Sequence, residues 1–134
     1  MVTTRDVCYQ ADGRTLIGRL AIPEEAGKRP AILMAHEGGG LNDYQKDRAA
    51  RLAELGYVAF ALDYHGDGKP LANQEEMAAR CRMLWEHPEG IRMIARAALE
   101  VLLAEPQTDP AKWQESATAS AERWSSSSPV TART

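Results

Sequence analysis

Two continuous apolar runs separated by a helical pattern constrain the fold of this chain more than any other feature. The first run, AILMAH, covers Ala31–His36, and the second, YVAFALD, covers Tyr57–Asp63. Short runs that are apolar on both faces are typical of parallel strands covered by helices. Between them, a helix is expected to begin at the capping residue Asp43 and to end near Leu55, because Gly56 is a helix stop signal. The order strand, helix, strand predicts a right-handed parallel crossover unit.

The flanking segments extend this unit into an α/β domain. Asp12-Gly13 is a strong signal for a hairpin turn. The further predicted elements are strands at Val7–Gln10 and Leu16–Ile22 and helices at Gln74–Trp85 and from Pro88 to just before Pro106. This order predicts helices packed on a mostly parallel sheet. Such sheets carry their chemistry in loops at the carboxyl ends of strands, which here are His36–Leu41 and Tyr64–Pro70.

The composition of the 134 residues excludes several classes of function. Lys and Arg number 16 against 19 Asp and Glu, so the net charge is −3 and a nucleic-acid binder that works through a basic field is excluded. No apolar run approaches the roughly 20 residues of a membrane-spanning helix. The N-terminus lacks the pattern of a signal peptide. Two cysteines, Cys8 and Cys81, do not make a disulfide framework, so a cytoplasmic location is expected.

The glycine run that follows the first apolar strand, Gly38-Gly39-Gly40, has three interpretations. A glycine-rich turn before a helix can present backbone N–H groups to a phosphate, but this run lacks the P-loop and GxGxxG patterns. It can also provide a backbone N–H for an oxyanion hole. The third interpretation is a plain tight turn without a chemical role.

Other polar residues match no specific site pattern. The ends of the two apolar strands carry four candidate metal ligands, His36, Glu37, Asp63 and His65, but their spacing is not that of a metal site, so no metal is expected. Cys81 lies in a predicted helix and is expected to be a buried small side chain rather than a nucleophile. Ser125–Ser128 lack the G-x-S-x-G context of a catalytic serine.

Four motifs, taken together, point to one family. They are the hairpin at Asp12-Gly13, the strand ending in His36-Glu37-Gly38, the helix closed by Leu55-Gly56-Tyr57, and the strand ending in Leu62-Asp63-Tyr64. With them, residues 5–112 resemble the dienelactone hydrolase family of α/β-hydrolases. The resemblance implies hydrolysis of small-molecule carboxylic esters and lactones without a metal or cofactor. It also implies that Glu37 is an active-site acid that interacts with the nucleophile, and that Gly38 gives an oxyanion-hole N–H.

The resemblance ends before the catalytic triad. In the family a cysteine or serine nucleophile lies on a sharp turn after the next strand, and an aspartate and a histidine follow much later. None of the three has a counterpart here, so we expect a fold truncated before the nucleophile strand and no catalysis by this chain. Without that strand, Ala31–His36 would lie at the sheet edge and recruit other strands, which predicts self-association. Arg80 and Arg82 lie only near the position of residues that hold a substrate carboxylate in some members.

The composition changes abruptly after Lys112. Residues 113–134 contain no Leu, Ile, Met, Phe, Tyr or Gly, and six of them are serine. Such a segment cannot bury enough apolar surface to offset an ordering entropy of roughly 1–2 kcal/mol per residue. We therefore divide the chain into residues 1–112, the N-terminal part of a hydrolase domain, and residues 113–134, a non-native or disordered tail.

A shift of the reading frame by one nucleotide back at Lys112 offers an explanation of the tail. In that frame the codons of Ala117 to Glu122 permit Gly-Tyr-Cys-Phe-Gly-Gly, a nucleophile elbow of the family. The preceding codons permit Val-Ala-Gly-Ile and the following ones Thr-Val-Val-Leu-Glu-Leu-Ala, which reads as strand, elbow and helix. Two alternatives stay open. The tail can be a real divergent segment, and the chain can be a non-catalytic fragment that serves as an interaction module or misfolds.

Overall fold

The computed structural model describes residues 2–24, 27–36, 40–66, 68 and 70–116. The strands in these residues are β1 (Thr3–Ala11), β2 (Arg14–Ile22), β3 (Arg29–Met34), β4 (Val58–Ala61) and β5 (Thr108–Ser116), and the helices are α1 (Asp43–Glu54), α2 (Gln74–Glu86) and α3 (Pro88–Ala104). The predicted hairpin, the two apolar strands and the three helices are all present, with ends that differ by a few residues from the predicted ones.

The strands form one sheet in the order β1-β2-β4-β3-β5. The β1–β2 and β2–β4 pairs are antiparallel, whereas the β3–β4 and β3–β5 pairs are parallel. Successive β4 residues point to opposite faces, so Phe60 packs in the cluster that contains Ile94 of α3, and Ala59 packs in the one that contains Ala49 of α1. The expected α/β class with flanking helices is confirmed, and the sheet is mixed.

The turn of the first hairpin shows why its sequence signal was strong. Asp12 and Gly13 have φ angles of 53° and 70°, so both lie in the left-handed region. A two-residue turn with this conformation matches the right-handed twist of the strands, and Asp and Gly tolerate it best. The turn closes the pairing of Ala11 with Arg14 and sets the register of the whole β1–β2 ladder.

Helix α1 begins with a capping box one residue before the expected cap. The Asn42 side chain, not Asp43, accepts hydrogen bonds from the backbone N–H groups of Tyr44 and Gln45, at 2.9 and 3.4 Å. In return, the Gln45 side chain accepts from the Asn42 N–H at 3.0 Å. This reciprocal pair satisfies donors that the first helical turn leaves free. The predicted helix is therefore confirmed, while the predicted capping residue is wrong.

Strand β5 corrects the prediction for the sheet edge. It pairs in parallel with β3, so that Trp113 lies opposite Ala31 and Ser116 lies opposite Met34. The register of the pair shifts between Arg29 and Ala31. Trp113 is only 8% exposed and belongs to the main apolar cluster. The low strand propensity of this segment is overridden by backbone pairing and by burial of the indole. Thus β3 is internal, and β1 and β5 are the outer strands within the described residues.

The predicted boundary after residue 112 falls inside β5, so residues 113–116 are part of the sheet. Residues 117–134, which include Ser125–Ser128 and the codons of the proposed elbow, lie outside the described residues.

Helix α3 has 17 residues and buries one apolar face, including Ile91, Ala98 and Leu102, against the sheet. Pro88 occupies its first turn, where a missing backbone N–H costs nothing. None of the helices in the part of the chain that the structure describes is long and apolar enough to cross a membrane.

Candidate active site

Three parallel strands, β3, β4 and β5, end at the same edge of the sheet. Because β4, β3 and β5 are neighbours and parallel, their carboxyl ends meet, as is common for the binding sites of α/β proteins. The loops after β3 and β4 contact each other in two places. The Tyr64 backbone N–H donates to His36 Nε2 at 2.9 Å, and Gly40 forms a β-bridge with Pro70. The two loops expected to carry the chemistry therefore lie together.

The predicted site residues Glu37 and Gly38 lie outside the described residues. Their roles as active-site acid and oxyanion-hole donor stay predictions. The residue before them, His36, is fully buried at the end of β3 and contacts the rings of Tyr64 and His65, at centroid distances of 5.4 and 5.1 Å. His36 therefore lies at the rim formed by the β3 and β4 ends.

Asp63 organises the loop after β4 instead of facing a ligand. Its carboxylate is fully buried and accepts four backbone N–H groups. Oδ1 accepts from His65 and Gly66, both at 3.0 Å, and Oδ2 accepts from Ile17 and Gly68, both at 3.1 Å. A carboxylate saturated by backbone donors holds a loop in one conformation.

This use of Asp63 bears on the candidate metal ligands. In the described residues, no group of three or more His, Cys, Asp or Glu side chains is arranged to hold a metal ion. Among the four candidates, both carboxylate oxygens of Asp63 accept backbone N–H groups, and His36 Nε2 accepts the Tyr64 N–H. Glu37 lies outside the described residues.

A buried tyrosine clamps the backbone at the end of β4. The Tyr9 hydroxyl accepts from the Asp63 N–H at 3.0 Å and donates to the Asp63 carbonyl at 3.2 Å. Burial raises the pKa of Tyr9 well above its usual value, so the hydroxyl keeps the proton that it donates. Sequence reasoning missed this residue because its partner lies 54 positions away.

Two arginines also hold the loop. Arg14 donates to the carbonyl oxygens of Tyr64, at 3.2 Å, and of His65. Arg80 donates to the same His65 carbonyl at 2.8 Å. Of the two arginines singled out from the sequence, Arg80 therefore reaches the site loop, whereas Arg82 is exposed. Arg14 carried no sequence signal for this role, since an arginine after a hairpin turn is usually solvated.

Burial raises the pKa of three further ionisable groups, Cys81, Glu115 and Tyr64. Burial raises the pKa of the Cys81 thiol, which disfavours the thiolate that a nucleophilic cysteine needs. The thiol is half-buried rather than fully buried as expected. On β5, desolvation raises the pKa of Glu115, and its charge adds to the rise in the pKa of Tyr64 that burial causes first. Partial burial near the carboxyl end of β5 therefore disfavours the ionised form of Glu115.

Comparison with known proteins gives the same family as the sequence motifs. A family model described as the dienelactone hydrolase family matches residues 16–114, which run from β2 into β5. A Saccharolobus solfataricus protein named a carboxymethylenebutenolidase is 31% identical over 84 residues, which are 63% of this chain and 32% of that protein.

Solved structures agree with this assignment. One named m3DLH has a TM-score of 0.82 at 35% identity and matches 87% of this chain and 49% of its own. A dienelactone-hydrolase-like promiscuous phosphotriesterase from metagenomic libraries has a TM-score of 0.81 at 33% identity and matches 87% of this chain and 48% of its own. The chain thus spans about half the length of these structures and about a third of the named relative. The motifs, the sheet order and these matches together show that the chain belongs to the dienelactone hydrolase family.

Proposed function

We propose that the site at the ends of β3, β4 and β5 belongs to a hydrolase of small-molecule carboxylic esters or lactones. The observation that carries this proposal is that three parallel strands end at one edge of the sheet, where the Tyr64 N–H donates a hydrogen bond to His36 Nε2 at 2.9 Å. The dienelactone hydrolase family model matches residues 16–114, which include these strands and loops. The oxyanion segment of the family follows directly after His36 in this sequence.

The proposed chemistry is attack of a nucleophile on the ester carbonyl. The Gly38 N–H stabilises the negative oxygen of the tetrahedral intermediate, and Glu37 interacts with the nucleophile in its resting state. Neither step needs a metal or a cofactor. The nucleophile, aspartate and histidine have no counterpart among these 134 residues, so we propose that this polypeptide by itself does not hydrolyse esters.

The position of β5 supports the shifted reading frame. A strand parallel to β3 and ending beside Met34 has the place and direction that a nucleophile strand needs. In the shifted frame, the codons of Trp113 to Ser116 permit Val-Ala-Gly-Ile, an apolar strand, and the cysteine codon follows at position 119. We therefore propose that the gene encodes the cysteine nucleophile in the frame one nucleotide back from Lys112.

The test compares two polypeptides. The first is the 134-residue chain, and the second is read in the shifted frame from Lys112 onward in DNA sequenced across that codon. We expect no hydrolysis of p-nitrophenyl acetate above a buffer control by the first, and turnover by the second that is lost when the elbow cysteine is replaced by alanine. Turnover by the first chain that disappears in Cys81→Ala would refute both the inactivity and the assignment of Cys81 as structural. A shifted frame that closes before encoding Asp and His would refute the frame proposal.

The alternative is a non-catalytic interaction module that associates through a sheet edge. Since β3 is internal, the outer strands of the described sheet, β1 and β5, are the two candidate edges. Light scattering after size-exclusion chromatography tests this alternative. A chain that elutes as a monodisperse monomer forms no edge-paired dimer, which would refute the interaction module. Cys8 and Cys81 form no disulfide within the described residues, in keeping with the cytoplasmic location that we propose.

A further inference from the structure

The outer side of β1 presents a row of backbone groups to solvent. Among the described residues this strand pairs with β2 alone, and most of its nine residues are exposed. Its ladder with β2 closes where Ala11 lies opposite Arg14 across the two-residue turn. Because hydrogen bonding alternates along an antiparallel ladder, the N–H and C=O groups of four residues point away from β2. These residues are Thr4, Asp6, Cys8 and Gln10. An exposed row of this kind is a template for another strand.

The other outer strand of the described sheet is less suited to pairing. Strand β5 contains Pro110, which has no N–H to donate to a neighbouring strand. Strand β1 contains neither proline nor glycine, and it carries Thr, Val and Tyr, which are residue types enriched in strands. Of the two outer edges, that of β1 is therefore the better template.

The charged side chains of β1 are engaged within the chain. Charges on an outer strand often keep sheet edges apart. Here the Asp6 carboxylate pairs with Arg19 of β2 at 2.8 Å, and Arg5 pairs with Glu105 at the end of α3 at 3.3 Å. Each charge on this edge thus has an opposite charge beside it, which lowers the electrostatic barrier to an approaching strand.

A second copy of β1 matches this edge best in one antiparallel register. With a two-fold axis at Val7, perpendicular to the sheet, Thr3 lies opposite Ala11 of the second copy, and all nine residues of each strand are paired. An axis at Arg5 or at Asp6 would place like charges directly opposite each other, which is destabilising. An axis at Cys8 would leave the first two residues of β1 without a partner in the other strand.

The register centred on Val7 also suits the side chains. The outward-directed backbone groups of Asp6 then meet those of Cys8 in the second copy, and no two like charges are opposite. The two Val7 residues form a pair without hydrogen bonds between them, in which the Cα atoms lie about 4.5 Å apart and the side chains are close. Val7 packs against the apolar cluster that contains Tyr9, so the contact of the two valines joins the clusters of both copies.

We propose that the outer edge of β1 binds the same edge of a second copy of this chain, antiparallel and with the two Val7 side chains facing each other at the two-fold axis. The result is one continuous sheet across two chains. The proposal specifies the edge, the register and the partner for the interaction module described above as the alternative function. It requires no hydrolytic activity, so it is independent of the proposed catalysis.

Cross-linking of single cysteines in the 134-residue chain tests the register. In a background with Cys8→Ser and Cys81→Ser, Val7→Cys brings two thiols opposite each other, within the Cα separation of about 4.4–6.8 Å that a disulfide needs. Dissolved oxygen with copper phenanthroline should then link most chains into dimers on a non-reducing gel. Gln10→Cys is the matched control, because its two copies would be about 20 Å apart along the strands, and it should stay monomeric on the gel. Linking of Gln10→Cys as efficient as that of Val7→Cys, or no linking of either, overturns the proposal.

Two charge variants test the same register without a covalent bond. Light scattering over a range of concentrations measures the Kd, and we expect the unsubstituted chain to dimerise at about 100 μM, because pairing of one strand buries little surface. Cys8→Asp places a carboxylate opposite Asp6 of the second copy and should raise the Kd about tenfold, whereas Cys8→Lys places an ammonium group there and should lower it. Cys8 is exposed, so thermal midpoints of both variants should stay close to that of the unsubstituted chain.

The outcomes separate this proposal from the others. A dimer with the same Kd in Cys8→Asp and Cys8→Lys associates through another surface, which overturns pairing through β1 while leaving the interaction module standing. A chain that is still monomeric at about 100 μM overturns both. Neither result bears on the hydrolase proposal, which the comparison of the two reading frames decides.

Discussion

Replacing Trp113 by alanine tests whether the sheet continues past residue 112. The indole is 8% exposed and packs in the cluster that contains Leu33 and Tyr64. A buried aromatic side chain removes roughly 150–250 Å² from water, which at about 25 cal/mol per Å² gives an upper bound of about 4–6 kcal/mol. Because β5 is an outer strand of the described sheet, the site can partly collapse or admit water. We expect Trp113→Ala to lower the free energy of unfolding by about 3 kcal/mol, at the low end of the range for buried Trp→Ala substitutions.

A loss of about 3 kcal/mol is large against a typical free energy of unfolding of about 5–15 kcal/mol. Urea unfolding followed by far-UV circular dichroism measures it, and with a slope near 2 kcal/mol per molar the midpoint should fall by about 1.5 M. The control is Gln114→Ala, whose side chain is exposed on the same strand and whose effect should stay within about 0.5 kcal/mol. Equal midpoints for the two variants would refute the packing of Trp113 and restore the boundary at residue 112.

Three further substitutions probe the packing and electrostatics around the site. Tyr9→Phe removes the hydroxyl that contacts both backbone groups of Asp63, and calorimetry should show a loss of about 1–3 kcal/mol. Gly18→Ala places a Cβ 2.5 Å from the Phe60 ring, so the thermal midpoint should fall in line with an overpacking cost of about 1–3 kcal/mol. Glu115→Gln should stabilise the chain increasingly as the pH rises above 4.5, because desolvation raises the folded-state pKa of this carboxyl and its ionisation opposes folding. Urea titrations at pH 4 and pH 7 measure the difference, and equal gains at both would contradict the electrostatic reason.

Local patterns were sufficient wherever the physical cause lies within a few residues. The Asp12-Gly13 turn needs two positive φ angles, which these residue types tolerate, so the hairpin was predictable. The apolar runs before His36 and Asp63 become buried parallel strands, because a short run that is apolar on both faces suits a strand covered by helices on both sides of the sheet. The family resemblance, confirmed over residues 16–114, rests on the same local motifs.

The tertiary structure decided what depends on distant partners. The segment that contains Pro110 and Lys112 has no strand alternation, yet β3 supplies the hydrogen bonds that make β5 a strand. The sequence also offered Asp63 as a metal-ligand candidate. Only the folded chain brings the Ile17 N–H to its carboxylate and the Tyr64 N–H to His36. Non-local pairing leaves no periodic trace in either partner, because each sequence specifies its own donors and acceptors but not which of them the fold brings together.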